Sequence, residues 1–291
     1  MVGIQMRCVD IKFSQRNAVP GDNISGMVVL ETDKNFECNR IILKLRGKER
    51  TQMGSGDTRI IDEVIHLQGK IDLCETTEIP VGKSEFPFNF KLDKGLPPTY
   101  SGYGSSIEYS AEAVVEMDWA IDPKMKRRFR VLPIQPPYIP ETDGYNPKNK
   151  DLDVLHIELL SDILRMKQGI LIRFMVEEHS RVNGVRLEIR RREHIKCRSR
   201  EATHDVTITK KFIPLTYGDF HRWREETVGK GWRRVPFKSK LVGTSYILKV
   251  VLEMKWELDP HVSFEIKISG EKPEETFDDI LDSIALDLEF D

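Results

Sequence analysis

The sequence contains no apolar run of about 18 residues, the length that carries a helix across a bilayer, so no membrane-spanning helix is expected. Met1-Val2-Gly3 lacks the cationic and apolar regions of a secretory leader, and position 2 is not the glycine that myristoylation needs. Only four cysteines occur in 291 residues, Cys8, Cys38, Cys74 and Cys197, and none stands in a paired spacing. Free thiols in a reducing, cytoplasmic setting are expected. Catalytic signatures are missing as well: no GxSxG elbow, no HExxH, and no GxGxxG after a strand. His194, Cys197 and His204 come nearest to a metal set, but the CxxC partner of structural zinc sites is absent. The glycines of residues 52–57 precede no helix start and no lysine-threonine pair, which favours a hairpin loop over a phosphate cradle. These absences argue against an enzyme, a metal and a cofactor.

What the sequence has in abundance is alternation. Phe86, Phe88 and Phe90 share one side of an extended segment, with Pro87, Asn89 and Lys91 on the other. Leu96-Pro97-Pro98, Gly102 and Gly104 then break the chain. A second alternation places Ile107, Tyr109, Ala111, Ala113 and Val115 inward and Glu108, Glu112 and Glu116 outward. Upstream, residues 9–13, 24–31, 41–50 and 60–67 read as strands, with Ile41, Leu43 and Leu45 facing in. Residues 133–150 hold five prolines and read as a linker. The pattern restarts in residues 155–160, 169–176, 182–190, 205–212, 235–241, 246–256 and 262–268. Short alternating strands on both sides of a linker predict two antiparallel sandwiches.

The order FPFxF, LPPTYxG and SIxYxAEA also resembles the N-terminal domain of the arrestin family, most closely its α-arrestin, arrestin-domain-containing branch. Pro20-Gly21-Asp22-Asn23-Ile24-Ser25-Gly26 and Ile41 to Thr51 carry the same resemblance, and Val235-Pro236-Phe237 with Tyr246 to Leu252 extends it loosely into the second half. The resemblance implies an all-β fold of two tandem immunoglobulin-like antiparallel β-sandwich domains, the arrestin fold, with an acidic C-terminal tail. The expected boundaries are 1–135 and 153–270 for the sandwiches, 136–152 for the linker and 271–291 for the tail. It further implies a cytoplasmic, non-catalytic adaptor that reaches membranes through its partners: cytoplasmic parts of membrane proteins and trafficking or signalling assemblies. A retromer-type structural subunit and an enzyme with an unrecognised site are the alternatives. By the same resemblance, Arg50, Met53 and Asp57 lie on a receptor-inserting loop, and Trp119, Lys124, Lys126 and Arg127 lie on or beside the middle loop. The helix that visual and β-arrestins place before the FPFxF strand has no counterpart, and their paired phosphate-sensing lysines are not evident.

Two local features have open readings. Pro97-Pro98-Thr99-Tyr100 satisfies the PPxY pattern of WW-domain ligands, yet its tyrosine equally suits packing inside the sandwich. In residues 215–234, Tyr217, Phe220 and Trp223 recur at three-residue steps, which suits a short helix pinned to the sandwich or a partner- or membrane-facing patch.

The net charge of −2 hides an asymmetry. Residues 1–150 balance 21 basic against 21 acidic side chains, residues 151–270 carry a net +6, and residues 271–291 a net −8. Arg186, Arg190, Arg192, Lys196, Arg198 and Arg200 form a candidate anion-binding surface for acidic peptides, phosphates or anionic lipid heads, against the plain reading of a solvated sheet face. Nucleic acid is not expected, because no aromatic platforms interleave with the cations. In the tail, Phe277, Ile280, Leu281 and Ile284 keep helical spacing, while Ile284, Leu286, Leu288 and Phe290 alternate as a strand. Such a segment has no core of its own. It either docks on this chain and limits partner access, awaits a partner, or stays a solubilising tail.

Overall fold

The computed structural model describes residues 6–118, 122–140, 148–152, 154–177 and 181–272. These residues contain strands and two short 3-10 turns, with no α-helix among them. The chain divides into two compact units.

Unit 1 comprises Met1–Ile134 together with Arg192–Val206 and Pro236–Ser245. Its strands begin with β1 (Met6–Phe13), β2 (Asn17–Ala18), β3 (Asn23–Thr32), β4 (Phe36–Cys38), β5 (Arg40–Met53) and β6 (Ile60–Cys74). They continue with β7 (Thr77–Ile79), β8 (Gly82–Lys91), β9 (Tyr100–Ser101), β10 (Ser105–Glu116) and β11 (Lys124–Val131). One sheet has the order β1-β3-β8 and the other β2-β11-β10-β5-β6, while β4 pairs with β7. The expected inward rows are the observed ones. Ile41, Leu43 and Leu45 on β5, and Ile107 to Val115 at alternate positions on β10, are almost wholly buried. The register sets Ala111 opposite Leu45 and Ala113 opposite Leu43, so a small side chain faces a large one in each pair. Phe88 meets Phe13 edge to face at 6.0 Å, with Phe86 and Phe90 packed against the same cluster. Each such aliphatic or aromatic burial contributes about 1.5–3 kcal/mol. Gly47 interrupts the inward row of β5 for a steric reason: a Cβ there would lie 2.4 Å from the Tyr109 ring.

Unit 2 comprises Gln135–Arg191, Thr207–Val235 and Tyr246–Asp291. The later strands are β12 (Lys148–Leu152), β13 (Leu155–Leu159), β14 (Ile163–Arg165), β15 (Ile170–Val176), β16 (Val182–Cys197) and β17 (Arg200–Pro214). After them come β18 (Arg224–Val228), β19 (Phe237–Lys238), β20 (Val242–Met254) and β21 (His261–Ser269). Their sheet orders are β12-β13-β15-β18 and β14-β21-β20-β16-β17. Leu155, Ile172, Phe174, Val185, Leu187, Ile189, Leu248 and Phe264 fill the core of this unit. Trp232 meets Tyr246 edge to face at 5.2 Å, and burial pushes the Tyr246 phenol up to about 12.

The all-β expectation of two sandwiches holds, and several local expectations are corrected. Residues 215–234 form no helix but a 3-10 turn, Tyr217–Asp219, followed by β18 on the edge of β15. Lys148–Leu152, read as linker, is a strand because β13 offers it an antiparallel edge. Between β16 and β17 the chain turns at Arg198 and Ser199 alone, with the strand resuming at Arg200. Residues 235–241, expected to be a strand, pair only at Phe237–Lys238, because the chain reverses where the Ser239 N–H donates to the Val242 carbonyl. Arg192–Val206 and Pro236–Ser245, placed with the second domain by sequence order, belong to unit 1. The seven apolar tail positions, Phe277, Ile280, Leu281, Ile284, Leu286, Leu288 and Phe290, lie outside the described residues, as does Trp119.

Candidate functional site

One end of unit 1 gathers three turns. The β5–β6 hairpin closes through Gly54 and Gly56, both at positive φ, with the Thr58 hydroxyl donating to the Ser55 carbonyl at 2.9 Å. The β9–β10 turn closes through Gly104, and Gln52 N–H donates to the Gly104 carbonyl at 2.7 Å. The β16–β17 turn passes through Arg198 at φ 56, and its N–H donates to Asp62 Oδ2 at 2.8 Å. Thr51 Oγ1 donates to the Lys196 carbonyl at 2.7 Å. Tyr103, 67% exposed, stacks on His204 at 4.2 Å and gives the tip an aromatic face.

Two groups of residues singled out separately in the sequence therefore meet here. Arg50 and Met53 are half-buried and Asp57 exposed on the first turn; Lys196, Arg198 and Arg200 are exposed on the third. Arg50 lies 3.6 Å from Glu63. The other candidates sit elsewhere. Arg192 is in unit 1 but makes a two-pronged bond to Asp205 at 2.9 and 3.0 Å, which offsets its charge. Arg186 and Arg190 belong to unit 2. Partial burial works against the Arg186 charge, but Glu188 and Glu253 outweigh it and hold the guanidinium above its ordinary range. Lys124, Lys126 and Arg127 are exposed on β11. Arg127 bonds Asp10 at 2.8 Å; burial raises the pKa of that carboxyl, yet the guanidinium and the Ile11 N–H hold it below its ordinary value.

The tip rests on two fully buried carboxylates that pattern reading passes over. Glu193 Oε2 accepts from Tyr103 N–H at 2.9 Å, and its other oxygen accepts from the Ser105 hydroxyl. Glu49 Oε1 accepts from Leu241 N–H at 3.1 Å and Val242 N–H at 2.8 Å. Its Oε2 accepts from the Ser239 hydroxyl at 3.0 Å and meets His66 Nε2 at 2.7 Å. One signal was available in the sequence: Glu49 continues the inward parity of Ile41, Leu43, Leu45 and Gly47, where an unpaired carboxylate would be costly.

Ser239, His66 and Glu49 are the residue types of a hydrolase triad, but the connectivity is wrong for one. A triad carboxylate binds Nδ1–H and leaves Nε2 to the hydroxyl. Here the carboxylate meets Nε2 itself, and the hydroxyl, 3.2 Å from that nitrogen, donates to the same Oε2. Among the described residues no group of three or more His, Cys, Asp or Glu side chains is disposed to hold a metal ion, and no helix is long and apolar enough to cross a membrane.

A family model described as the arrestin (or S-antigen) N-terminal domain matches residues 9–135. Residues 9–135 are similar to an arrestin N-terminal domain. The chain is 25% identical over 132 residues to arrestin domain-containing protein 17 of Caenorhabditis elegans, covering 40% of this chain and 31% of that protein. It is 27% identical over 129 residues to arrestin domain-containing protein 4 of Mus musculus and 26% identical over 129 residues to that of Homo sapiens, each match covering 38% of this chain and 31% of the relative. The likeness is thus to the α-arrestin, arrestin-domain-containing branch, and the chain spans about a third of the length of the curated relatives it matches.

Proposed function

We propose that this chain is an arrestin-like, non-catalytic adaptor whose unit 1 tip grips acidic cytoplasmic segments of membrane proteins and so links them to trafficking or signalling partners. The observation that carries the reading is the Arg198 N–H bond to Asp62, which fixes an exposed arginine turn beside the β5–β6 hairpin. Arg198, Arg200 and Lys196 supply the positive field, and Tyr103 with half-buried Met53 supplies apolar contact. Such a rim of cations sets the rate and specificity of encounter more than the final affinity. The reading places the chain in the cytoplasm, at membranes only through its partners. The tail of net −8 is a built-in competitor for the same cations, which makes self-restraint part of the proposal.

Crosslinking of the intact chain in cells, followed by identification of what is captured, tests the adaptor role. Arg198→Glu with Arg200→Glu is expected to lower capture roughly tenfold. Lys34→Glu, at an exposed lysine outside every candidate contact surface, serves as a charge-reversal control and is expected to leave capture unchanged. Deleting residues 271–291 is expected to raise it. Equal capture by all four chains would sink both the tip and the restraint.

A further inference from the structure

We propose that Glu49, His66 and Ser239 form a proton-operated latch that holds residues 239–242 on strand β5 more tightly as the pH falls. It stands independently of the adaptor reading.

The starting point is the Glu49 carboxylate, fully buried and supported by two backbone N–H groups and one hydroxyl. Among the described residues the one cation-forming side chain in contact with it is His66. A buried carboxylate held by dipoles alone remains short of counter-charge in a low-dielectric setting.

His66 reaches Glu49 through a specific backbone device. Gly47 pairs with Leu67 and Lys48 with Ile65, so two steps on β6 answer one on β5, and His66 is the extra residue of a β-bulge. Strict alternation would turn His66 to the opposite face from Leu67. The bulge lets Leu67, 3% exposed, and His66 both face inward, while Ile65 is left 39% exposed. The His66 side chain keeps 10% exposure, enough to exchange protons with solvent.

The surrounding groups are few. Glu49 faces His66 from β5, and the Tyr109 hydroxyl, bonded to the Pro97 carbonyl, faces Glu49 from β10. Ser239 comes from the late segment with Lys238 and Lys240 on either side, and His194 and Lys196 of β16 line the same groove of about 820 Å³. On β6 itself, Glu63 is engaged by Lys48 and Arg50. None of these but Glu49 offers His66 a negative charge within ion-pair distance.

Neutral His66 gives Glu49 one N–H bond. Protonated His66 gives the same bond with a full positive charge behind it, and charge-assisted bonds are roughly twice as strong. Histidine is the side chain that makes this change between about pH 5 and 8. The ion pair fixes the carboxylate, whose other oxygen holds the Leu241 and Val242 N–H groups. Those two amides report the latch.

The test is residue-resolved amide exchange of the full chain from about pH 8 down to 5.5, corrected for intrinsic rates. Protection at Leu241 and Val242 is expected to rise roughly five- to tenfold on acidification. His66→Gln keeps a donor without the charge, and its protection is expected to be flat with pH. Protection in wild type that stays level or falls on acidification, as it would if Glu49 took the proton, overturns the proposal. So does a rise that survives His66→Gln. Should that variant not fold, the wild-type His66 ring nitrogens and the Val242 amide are followed together by NMR: a shared midpoint supports the latch, and separate midpoints sink it.

Discussion

The Thr51 hydroxyl donates to the Lys196 carbonyl oxygen at 2.7 Å across 145 positions of sequence, while the Thr51 carbonyl accepts from Cys197 Sγ at 3.9 Å. Thr51 is fully buried, so neither group has water as an alternative. Thr51→Val keeps the shape and removes the donor, leaving the carbonyl short of a partner. It is expected to cost about 1–2 kcal/mol in urea unfolding. The same variant should weaken partner capture by loosening the arginine turn. A midpoint equal to wild type would show that the bond contributes nothing.

Gly102 sits against Glu193 in the same way that Gly47 sits against Tyr109. A Cβ on Gly102 would lie 2.0 Å from Glu193 Oε1. Gly102→Ala should therefore destabilise by about 1–3 kcal/mol. Combining it with Glu193→Ala should cost less than the sum of the two single changes, because the clash vanishes with the carboxylate. Thermal unfolding of the four chains measures the coupling, and strict additivity would place the strain elsewhere.

In unit 2, His156 stands between two carboxylates, with Nδ1 2.8 Å from Asp151 and Nε2 3.1 Å from Glu177. The Asp151 bond first, then the Glu177 bond, raises its pKa above the ordinary histidine value. The group therefore binds its proton more tightly folded than unfolded. Its contribution is fully present below the ordinary value and is lost as pH rises through the elevated one. His156→Gln should flatten that part of the stability–pH curve, and an NMR titration of the ring gives the midpoint directly. A midpoint at or below the ordinary value would refute the arrangement.

The PPxY segment has an answer that exposure decides. Tyr100 packs on Phe237 at 5.0 Å, Tyr109 donates to the Pro97 carbonyl at 2.6 Å, and Thr99 N–H donates to the Val131 carbonyl at 2.8 Å. A WW domain needs this stretch as a free polyproline strand. An isolated WW domain is therefore expected to bind a synthetic peptide of residues 94–104 but not the native chain. Binding to both with equal affinity would mean that the segment leaves its seat readily.

Much of this was legible without coordinates because strand alternation is local. Ile41, Leu43 and Leu45 had to face one way, and so did Ile107 to Val115, whatever lay opposite. The core rows of both units follow from that period, while the arrestin resemblance rests on the separate motifs FPFxF, LPPTYxG and SIxYxAEA. Residues 215–234 misled for the opposite reason. Three-residue aromatic spacing is common to a helix and to an irregular strap, and only the free edge of β15 decides for β18.

By itself, then, the sequence determined which side chains point inward along each strand, since a pleat fixes that within a few residues. The tertiary structure alone decided that Glu49 and Glu193 are satisfied, that His66 turns inward at a bulge, and that the β5–β6 hairpin stands beside Arg198. Those outcomes depend on donors brought from up to 193 positions away, and no local period records where a distant backbone N–H will come to rest.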